Sequence, residues 1–233
     1  VSFYMKVYIS ADIEGITGTT VWSETELNAP DYQFFSQQMT KEVEAAIEGA
    51  DAGGAREILL KDAHDSARNI HIANLPINCK IIRGWTYDPM CMVAGLDKSF
   101  DRAIFIGYHS KGGSERNPLA HTLCTYADVK INGEYASEFL INTYAAALHG
   151  VPVAFVSGDA GLIEDINNVN SNIVTFATKE GIGNATINVS PQLTILETKK
   201  LVEQSMHIER EALQVPLPER FVVEILYRDH TRA

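Results

Sequence analysis

The chain has 233 residues, with 19 lysines and arginines against 30 aspartates and glutamates, so its formal net charge is −11 with histidine neutral. This acidic balance argues against a nucleic-acid or membrane partner held by overall positive charge, because both kinds of partner select a net positive surface. Hydrophobic residues make up 45% of the chain, which is enough for a core and excludes the composition of a disordered protein.

The first half of the sequence alternates short apolar runs with one long helical pattern. Residues 6–10 are rich in β-forming side chains and predict a first strand. Apolar residues then recur every three to four positions between residues 35 and 50, which predicts an amphipathic helix that ends at Gly53 and Gly54. Three further buried strands are predicted at residues 57–61, 80–82 and 103–107. The alternation predicts an α/β fold with a mostly parallel central sheet flanked by helices.

The second half of the sequence adds an antiparallel element and further α/β segments. Residues 129–131 followed by Asn132 and Gly133 predict an inserted β-hairpin. Ser137 is placed to cap a helix that closes at Gly150. The remaining predicted elements are strands at 153–156, 173–177 and 221–227 and a helix opened by Ser190 and Pro191. The segment after residue 159 is therefore expected to form a smaller C-terminal α/β unit.

Several acids and histidines lie directly after predicted strands. Asp12 and Glu14 follow the first strand, His64 follows the second and His109 follows the fourth. Because the carboxyl ends of parallel strands form the ligand-binding edge of an open sheet, we expect these groups to meet. Carboxylates and imidazoles without thiolates suit zinc, manganese or cobalt in a hydrolytic site. With a further acid such as Glu138, the set is large enough for two metals that share one carboxylate.

The cysteines and the amino terminus bear on the compartment. Cys79, Cys91 and Cys124 are widely spaced and form no CxxC pair, so neither a disulfide framework nor a thiolate zinc site is indicated. The first residues lack the basic start and apolar stretch of a secretion signal. No apolar run approaches the roughly 20 residues that span a bilayer. These features predict a cytoplasmic protein with no membrane partner and no nucleic-acid partner.

Five short segments carry these groups in a characteristic order. They are SADIEGITG at residues 10–18, KDAH at 61–64, FIGYH at 105–109, LAHT at 119–122, and ING followed by two acids at 131–138. Together they make the chain resemble the zinc-dependent D-aminopeptidase family. The resemblance covers residues 5–159, and the last third has no motif that adds to it.

The resemblance implies specific roles for these residues. The implied ligands of a two-zinc centre are Asp12, Glu14, His64, His109 and Glu138. Asp12 would be the bridging carboxylate, and His121 would act in catalysis as nucleophile or acid/base. Glu134, at the hairpin turn, is the alternative fifth ligand, although the motif favours Glu138. The glycine-rich loop before His121 is of the mobile kind that carries a histidine over a metal site.

The sequence thus predicts a zinc-dependent aminopeptidase with two metal ions per chain and a short peptide as substrate. The resemblance further implies D-configured N-terminal residues, as in D-alanyl-D-alanine, and a homo-oligomer such as a decameric ring. We expect residues 1–158 to form the catalytic metal-binding domain and residues 159–233 the smaller unit, with one compact domain as the alternative. Two other functions remain open, namely a two-metal amidase or phosphoesterase and a non-catalytic module braced by metal.

Overall fold

The computed structural model describes residues 4–233. Residues 1–3 lie outside the described part, and the expected lack of a secretion signal rests partly on them. The strands are β1 Met5–Ala11, β2 Ala55–Asp62, β3 Cys79–Ile82, β4 Arg102–Tyr108, β5 Ala127–Ile131, β6 Glu134–Tyr135, β7 Val153–Asp159, β8 Val174–Ile182, β9 Ala185–Asn188 and β10 Val223–Tyr227. The helices are α1 Tyr32–Ala52, α2 Glu138–Leu148, α3 Ala160–Asn170 and α4 Pro191–Ser205. Short 3₁₀ turns lie at Trp22–Glu24, Cys91–Val93 and Arg210–Leu213.

Seven strands form the central sheet, in the order β3-β2-β1-β4-β7-β8-β9. All neighbours are parallel except β8 and β9, which are antiparallel at one edge. From β1 the chain moves towards one edge to β2 and β3, and it then returns to β4 on the other side of β1. This reversal between β1 and β4 is a topological switch point, where open α/β sheets bind ligands beyond the carboxyl ends of their strands.

Helices cover the sheet because its strands are apolar on both sides. Every residue of β4 and β7 is buried, as parallel strands require when both faces are covered. Helix α1 packs on α4 and against β1 and β2, while α2 contacts β4 and α3 contacts β7 and β8. Since crossover connections are right-handed, the change of direction at the switch point sends α2 and α3 to the face opposite α1. The predicted α/β fold with a mostly parallel sheet is confirmed.

The inserted hairpin forms where the sequence predicts it. Asn132 and Gly133 both have positive φ, +52° and +88°, as the tight turn between β5 and β6 requires. With β10 these strands make a second, antiparallel sheet in the order β10-β5-β6. Ser137 then caps α2, since its side chain accepts a hydrogen bond from the Leu140 backbone amide.

The segment after residue 159 builds onto the same sheet. Strand β8 pairs with β7, β9 pairs with β8, and α4 packs on α1. The boundary between residues 158 and 159 falls where β7 ends and α3 begins. A division of the chain into two domains at this point stays a prediction. No helix in residues 4–233 is both long enough and apolar enough to cross a bilayer.

Candidate metal centre

Three loops that leave the sheet at neighbouring strands meet at the switch point. The loop after β1 carries Asp12 and Glu14, the loop after β2 carries His64, and the loop after β4 carries His109. All four side chains are buried. The sequence predicts this convergence because β2, β1 and β4 are adjacent and parallel.

The turn that carries both acids is held tightly against the end of β4. The Asp12 amide donates to the Ile106 carbonyl, and the Gly15 amide donates to the Gly107 carbonyl, each at 2.8 Å. A Cβ atom at Gly15 would lie only 1.7 Å from the Tyr108 carbonyl oxygen. Glycine is therefore required here, because any side chain would push the acidic turn away from His109.

The acids surround two imidazoles at short distances. His64 Nδ1 lies 3.2 Å from Asp12 Oδ1 and 3.0 Å from Glu14 Oε2. His109 Nε2 lies 3.5 Å from Asp12 Oδ2 and 3.4 Å from Glu138 Oε2. The two oxygens of Asp12 thus face different histidines. A carboxylate in that position can belong to two groups of metal ligands at once.

Glu138 reaches the centre from the first turn of α2. Its side chain is buried, and its Oε1 accepts a hydrogen bond from the Leu123 amide at 2.8 Å. The Ser137 cap fixes the start of the helix and hence the direction of this carboxylate. Glu134, the alternative fifth ligand, is exposed in the hairpin and takes no part in the cluster.

In each of the three histidines, the outer ring nitrogen, which is the one turned away from the carboxylates, contacts a backbone carbonyl oxygen. His64 Nε2 contacts the Thr25 carbonyl at 2.8 Å, His109 Nδ1 the Ser110 carbonyl at 2.9 Å, and His121 Nδ1 the Leu119 carbonyl at 2.9 Å. A carbonyl oxygen only accepts, so each ring carries a proton on that nitrogen. The inner nitrogen of each neutral ring therefore points a lone pair at carboxylate oxygens. This is the arrangement by which proteins orient histidines that bind a metal.

The residues of this centre fit a metal cation. Within residues 4–233, the buried atoms Glu14 Oε2 and His109 Nε2 have no hydrogen-bond partner. The side chains form three groups, and within each group the possible ligand atoms all lie within 4.8 Å of one another. The groups are Asp12, Glu14 and His64; Asp12, His109 and Glu138; and Glu14, His109 and His121. Nitrogen and carboxylate oxygen donors without sulfur suit zinc. A cation among these lone pairs would remove the repulsion between them.

The ionisation of the cluster shows how strongly it attracts positive charge. Burial, together with the charge of Glu14, raises the pKa of Asp12 well above its ordinary value. Burial opposes the charged form of His109, but the charges of Glu138 and its neighbours outweigh it and raise the His109 pKa to about 10. The pKa of His64 is also raised, against the effect of burial, by Glu14 and Asp12. The cluster holds either protons or metal, and metal binding would release those protons.

His121 lies over the centre and is less buried than the other five groups. Its side chain is 14% exposed, and its Nε2 lies 3.6 Å from Glu138 Oε1 and 3.9 Å from Glu14 Oε1. Its ring stacks on His109 with centroids 4.4 Å apart, and it packs at 69° against Trp22 with centroids 5.4 Å apart. The structure therefore brings all six predicted site residues together, with His121 on the solvent side.

A cavity of about 560 Å³ opens above these side chains. The two tryptophans of the chain, Trp22 and Trp85, both line it, as do Met92, Leu123 and Tyr126. The sequence analysis did not assign these residues. The signal available was the presence of each rare tryptophan in a polar loop, since large aromatic side chains outside predicted strands and helices are common at binding sites.

Other polar residues near the centre hold its loops. Asp62 accepts hydrogen bonds from the Asn69 and Ile70 amides, and the Asn69 side chain donates to the His64 carbonyl at 2.7 Å. Asp159 caps α3 and binds Ser110. Lys179, which the sequence analysis missed, is buried, and its ammonium donates to the carbonyl oxygens of Glu14 and Thr19. The remaining histidines, which are His71, His149, His207 and His230, lie away from the cluster.

Comparisons with known proteins show the family and the fold of the chain. The sequence model of the family Peptidase_M55, described as D-aminopeptidase, matches residues 5–233. A D-aminopeptidase of Bacillus subtilis (strain 168) is 30% identical over 184 residues, which cover 78% of this chain and 66% of that relative. The solved structure of the Zn-dependent D-aminopeptidase DppA from Bacillus subtilis, a self-compartmentalizing protease, matches with a TM-score of 0.89 and 28% identity. That match covers 97% of this chain and 82% of the solved chain.

Proposed function

This chain belongs to the D-aminopeptidase family, and from that membership we propose that it is a zinc-dependent aminopeptidase. It would remove the N-terminal residue, in the D configuration, from short peptides such as D-alanyl-D-alanine. The resemblance carried by the five sequence motifs is thereby confirmed at the level of the family. The alignment spans just under two thirds of the Bacillus subtilis relative, so activity and substrate are proposed for this chain.

One observation carries the proposal. Three histidines donate their outer N–H groups to backbone carbonyls and turn their inner nitrogens towards three buried carboxylates. A purely structural polar cluster would be expected to place donors against acceptors, because unpaired buried groups cost stability. Imidazole nitrogens and carboxylates that converge without another donor are expected where a cation binds, either protons or a metal ion.

We propose two zinc ions per chain. Asp12, Glu14 and His64 would hold one, and Asp12, His109 and Glu138 the other, with Asp12 shared because its two oxygens face the two histidines. When bound, the metal would activate the attacking water and polarise the scissile carbonyl as a Lewis acid. The Ser137 cap and the acidic turn at Gly15 keep the ligand atoms at their positions before the ion enters.

His121 is the proposed proton carrier. Its Nδ1 carries a proton and donates a hydrogen bond to the Leu119 carbonyl. This leaves Nε2 free to accept one proton and release it again. During hydrolysis Nε2 would take a proton on the solvent side of the centre and give it to the leaving amine. The stacked ring of His109 and the nearly perpendicular ring of Trp22 both pack against the imidazole and would hold it in place over the centre.

The walls of the cavity favour a peptide over a phosphate ester. None of the residues that line it is lysine or arginine, the usual phosphate-binding side chains. Tryptophan, methionine, leucine and tyrosine side chains would instead cover the apolar parts of a short peptide and exclude water from the reaction. This composition disfavours the phosphoesterase alternative and leaves an amidase as the main rival.

For assembly and compartment, the proposal follows the solved relative and the sequence. That relative is described as self-compartmentalizing, and we propose that this chain also forms a closed homo-oligomer, with a decameric ring as the specific expectation. The cytoplasm stays the proposed compartment. Light scattering of the purified protein would measure the number of subunits directly.

The test of the function is amine release from matched D- and L-alanyl dipeptides and tripeptides, with zinc supplied and with a chelator-treated control. Chelator-sensitive cleavage of the D series alone is the expected result. Cleavage of the L series alone would contradict the proposed stereochemistry while keeping the mechanism.

Two other outcomes would contradict the peptidase itself. Protein that holds zinc, cleaves no peptide and hydrolyses simple amides would favour the amidase. Protein that holds zinc, hydrolyses nothing and melts at a lower temperature without the metal would favour the non-catalytic module.

A further inference from the structure

The lining of the cavity over the metal centre includes two acids that are not proposed metal ligands, Glu26 and Asp65. The segment after His121 contributes Leu123, Cys124, Thr125 and Tyr126 to the same lining. With no lysine or arginine in the lining, a cationic group of a ligand would be drawn to the two acids.

Both carboxylates are available to a ligand. Glu26 and Asp65 are exposed, and within the described residues 4–233 neither side chain forms an ion pair or a hydrogen bond. The floor of the same cavity is formed by the proposed metal ligands Asp12, Glu14 and His64. Two free carboxylates in the lining beside the metal centre make this part of the cavity a receptor for positive charge.

The backbone beneath each carboxylate is anchored to the metal centre. Glu26 follows Thr25, whose carbonyl oxygen accepts a hydrogen bond from His64 Nε2. Asp65 follows His64 itself, and its carbonyl oxygen accepts a hydrogen bond from Trp85 Nε1 at 2.6 Å. Asp65 also has a φ of +42°, a conformation that is strained for most residues and recurs at functional sites. The backbone at both acids is therefore fixed relative to the metal centre.

The chemistry of an aminopeptidase substrate identifies the positive group. Every such substrate carries a free α-ammonium, two bonds from the scissile carbonyl carbon. With bonds of about 1.5 Å, that ammonium lies about 2.5 Å from the reacting carbon, so its acceptor must border the metal centre. Glu26 and Asp65 are the candidates, since both line the cavity over the centre and neither is a proposed metal ligand.

We infer that Asp65 and Glu26 bind the α-ammonium group of the substrate and so fix the direction of the peptide in the cavity. The inference rests on the proposed aminopeptidase function. The first residue then lies beside these two acids, the scissile bond points towards His121, and the leaving segment runs along Leu123 and Tyr126. Peptides with a blocked amine are excluded, and an acidic first residue is disfavoured by repulsion from the same two carboxylates.

The test compares two substrates that differ only in the amine. One is an alanyl anilide of the enantiomer that the wild-type protein cleaves, and the other is the matching lactoyl anilide, in which a hydroxyl replaces the ammonium. The variants are Asp65→Asn and Glu26→Gln, which remove charge and keep shape. Asparagine tolerates the positive φ at position 65, so this variant retains the backbone. Glu180→Gln, at an exposed acid outside the cavity, is the control for the same change in net charge.

The expected result is a selective loss. Each cavity variant should keep its zinc and its melting temperature, while kcat/KM for the alanyl substrate falls about tenfold, mainly through KM. For the lactoyl substrate, kcat/KM should stay within about twofold of the wild-type value. The control variant should keep kcat/KM within about twofold for both substrates.

Two results would overturn the inference. Unchanged preference for the amine in both zinc-loaded variants would show that other groups bind it. An equal fall in kcat/KM for both substrates would mean that the acids act on the metal centre rather than on the ammonium. Wild-type protein that cleaves neither substrate nor any alanyl peptide would instead overturn the aminopeptidase proposal, and the inference with it.

Discussion

The rings of His109 and His121 stack face to face, with their centroids 4.4 Å apart and their planes 14° from parallel. His109 is buried and faces Asp12 and Glu138, whereas His121 is partly exposed and lies near Glu138 and Glu14. The pair therefore divides one polar cluster into an inner group suited to holding metal and an outer group suited to moving a proton. This division can be tested residue by residue.

Replacing His121 by alanine should separate metal binding from turnover. The other five groups of the cluster remain, so zinc content should match that of the wild type, while kcat should fall about 100-fold or more because the proton carrier is lost. Elemental analysis and steady-state kinetics measure the two quantities. His149→Ala, an exposed histidine at the end of α2, is the matched control. A variant with turnover within a few-fold of wild type would return His121 to a structural role.

Replacing His64 by alanine should remove zinc and activity together. His64 Nδ1 lies within 3.2 Å of both Asp12 and Glu14, and without it two buried carboxylates face each other without a nitrogen donor. Zinc affinity should fall at least tenfold, with activity following it across a zinc titration. His207→Ala, on the exposed surface, should change neither. Full zinc occupancy with normal turnover in the His64 variant would rule out this site.

Much of the centre is predictable from the sequence because it depends on local signals. The strands before Asp12, His64 and His109 are readable as apolar runs, and parallel strands bring their carboxyl ends together. Ser137 marks the start of α2 and so distinguishes buried Glu138 from exposed Glu134. In these cases a short pattern determines the position of the side chain.

The rest depends on packing between distant segments, for which one sequence has no local signal. Trp22 meets His121 from a loop 99 residues away, and Lys179 reaches the Glu14 carbonyl from β8. Helix α3 was not predicted, although Leu162, Ile166 and Val169 recur at helical spacing after the Asp159 cap. The final helix α4 ends at Ser205, and a 3₁₀ turn follows at Arg210–Leu213.

Trp22 should act as a positioning residue for His121. Its ring meets the imidazole edge to face at 69°, and Trp22→Ala would leave that side of the imidazole open. We expect kcat to fall about tenfold with little change in KM, because misplacing a catalytic group slows the reaction more than it weakens binding. Trp22→Phe, which keeps an aromatic edge, should recover most of the loss. A fall in KM and zinc content instead, with no rescue by phenylalanine, would assign Trp22 to substrate or loop packing.

A second buried acid lies outside the metal centre. Glu42 of α1 accepts hydrogen bonds from the Thr17 amide and from Gln38 Nε2 through Oε1, while its Oε2 has no partner among residues 4–233. Burial raises its pKa to about 7 from an ordinary value of 4.5, although those hydrogen bonds oppose the shift. The folded protein therefore keeps a proton here that the unfolded chain has lost. Between about pH 4.5 and pH 7 this group makes the free energy of unfolding fall as pH rises.

Glu42→Gln should abolish that part of the pH dependence, since glutamine keeps the Oε1 acceptor and does not ionise. The free energy of unfolding of the variant minus that of the wild type should rise by about 2 to 3 kcal/mol between pH 5 and pH 8. Urea denaturation of both zinc-saturated proteins at several pH values measures the difference, in which the contribution of the shared metal centre cancels. Glu203→Gln, at an exposed acid of α4, should give a nearly flat difference. A flat difference for Glu42→Gln as well would mean that Glu42 ionises as readily in the folded protein as in the unfolded chain.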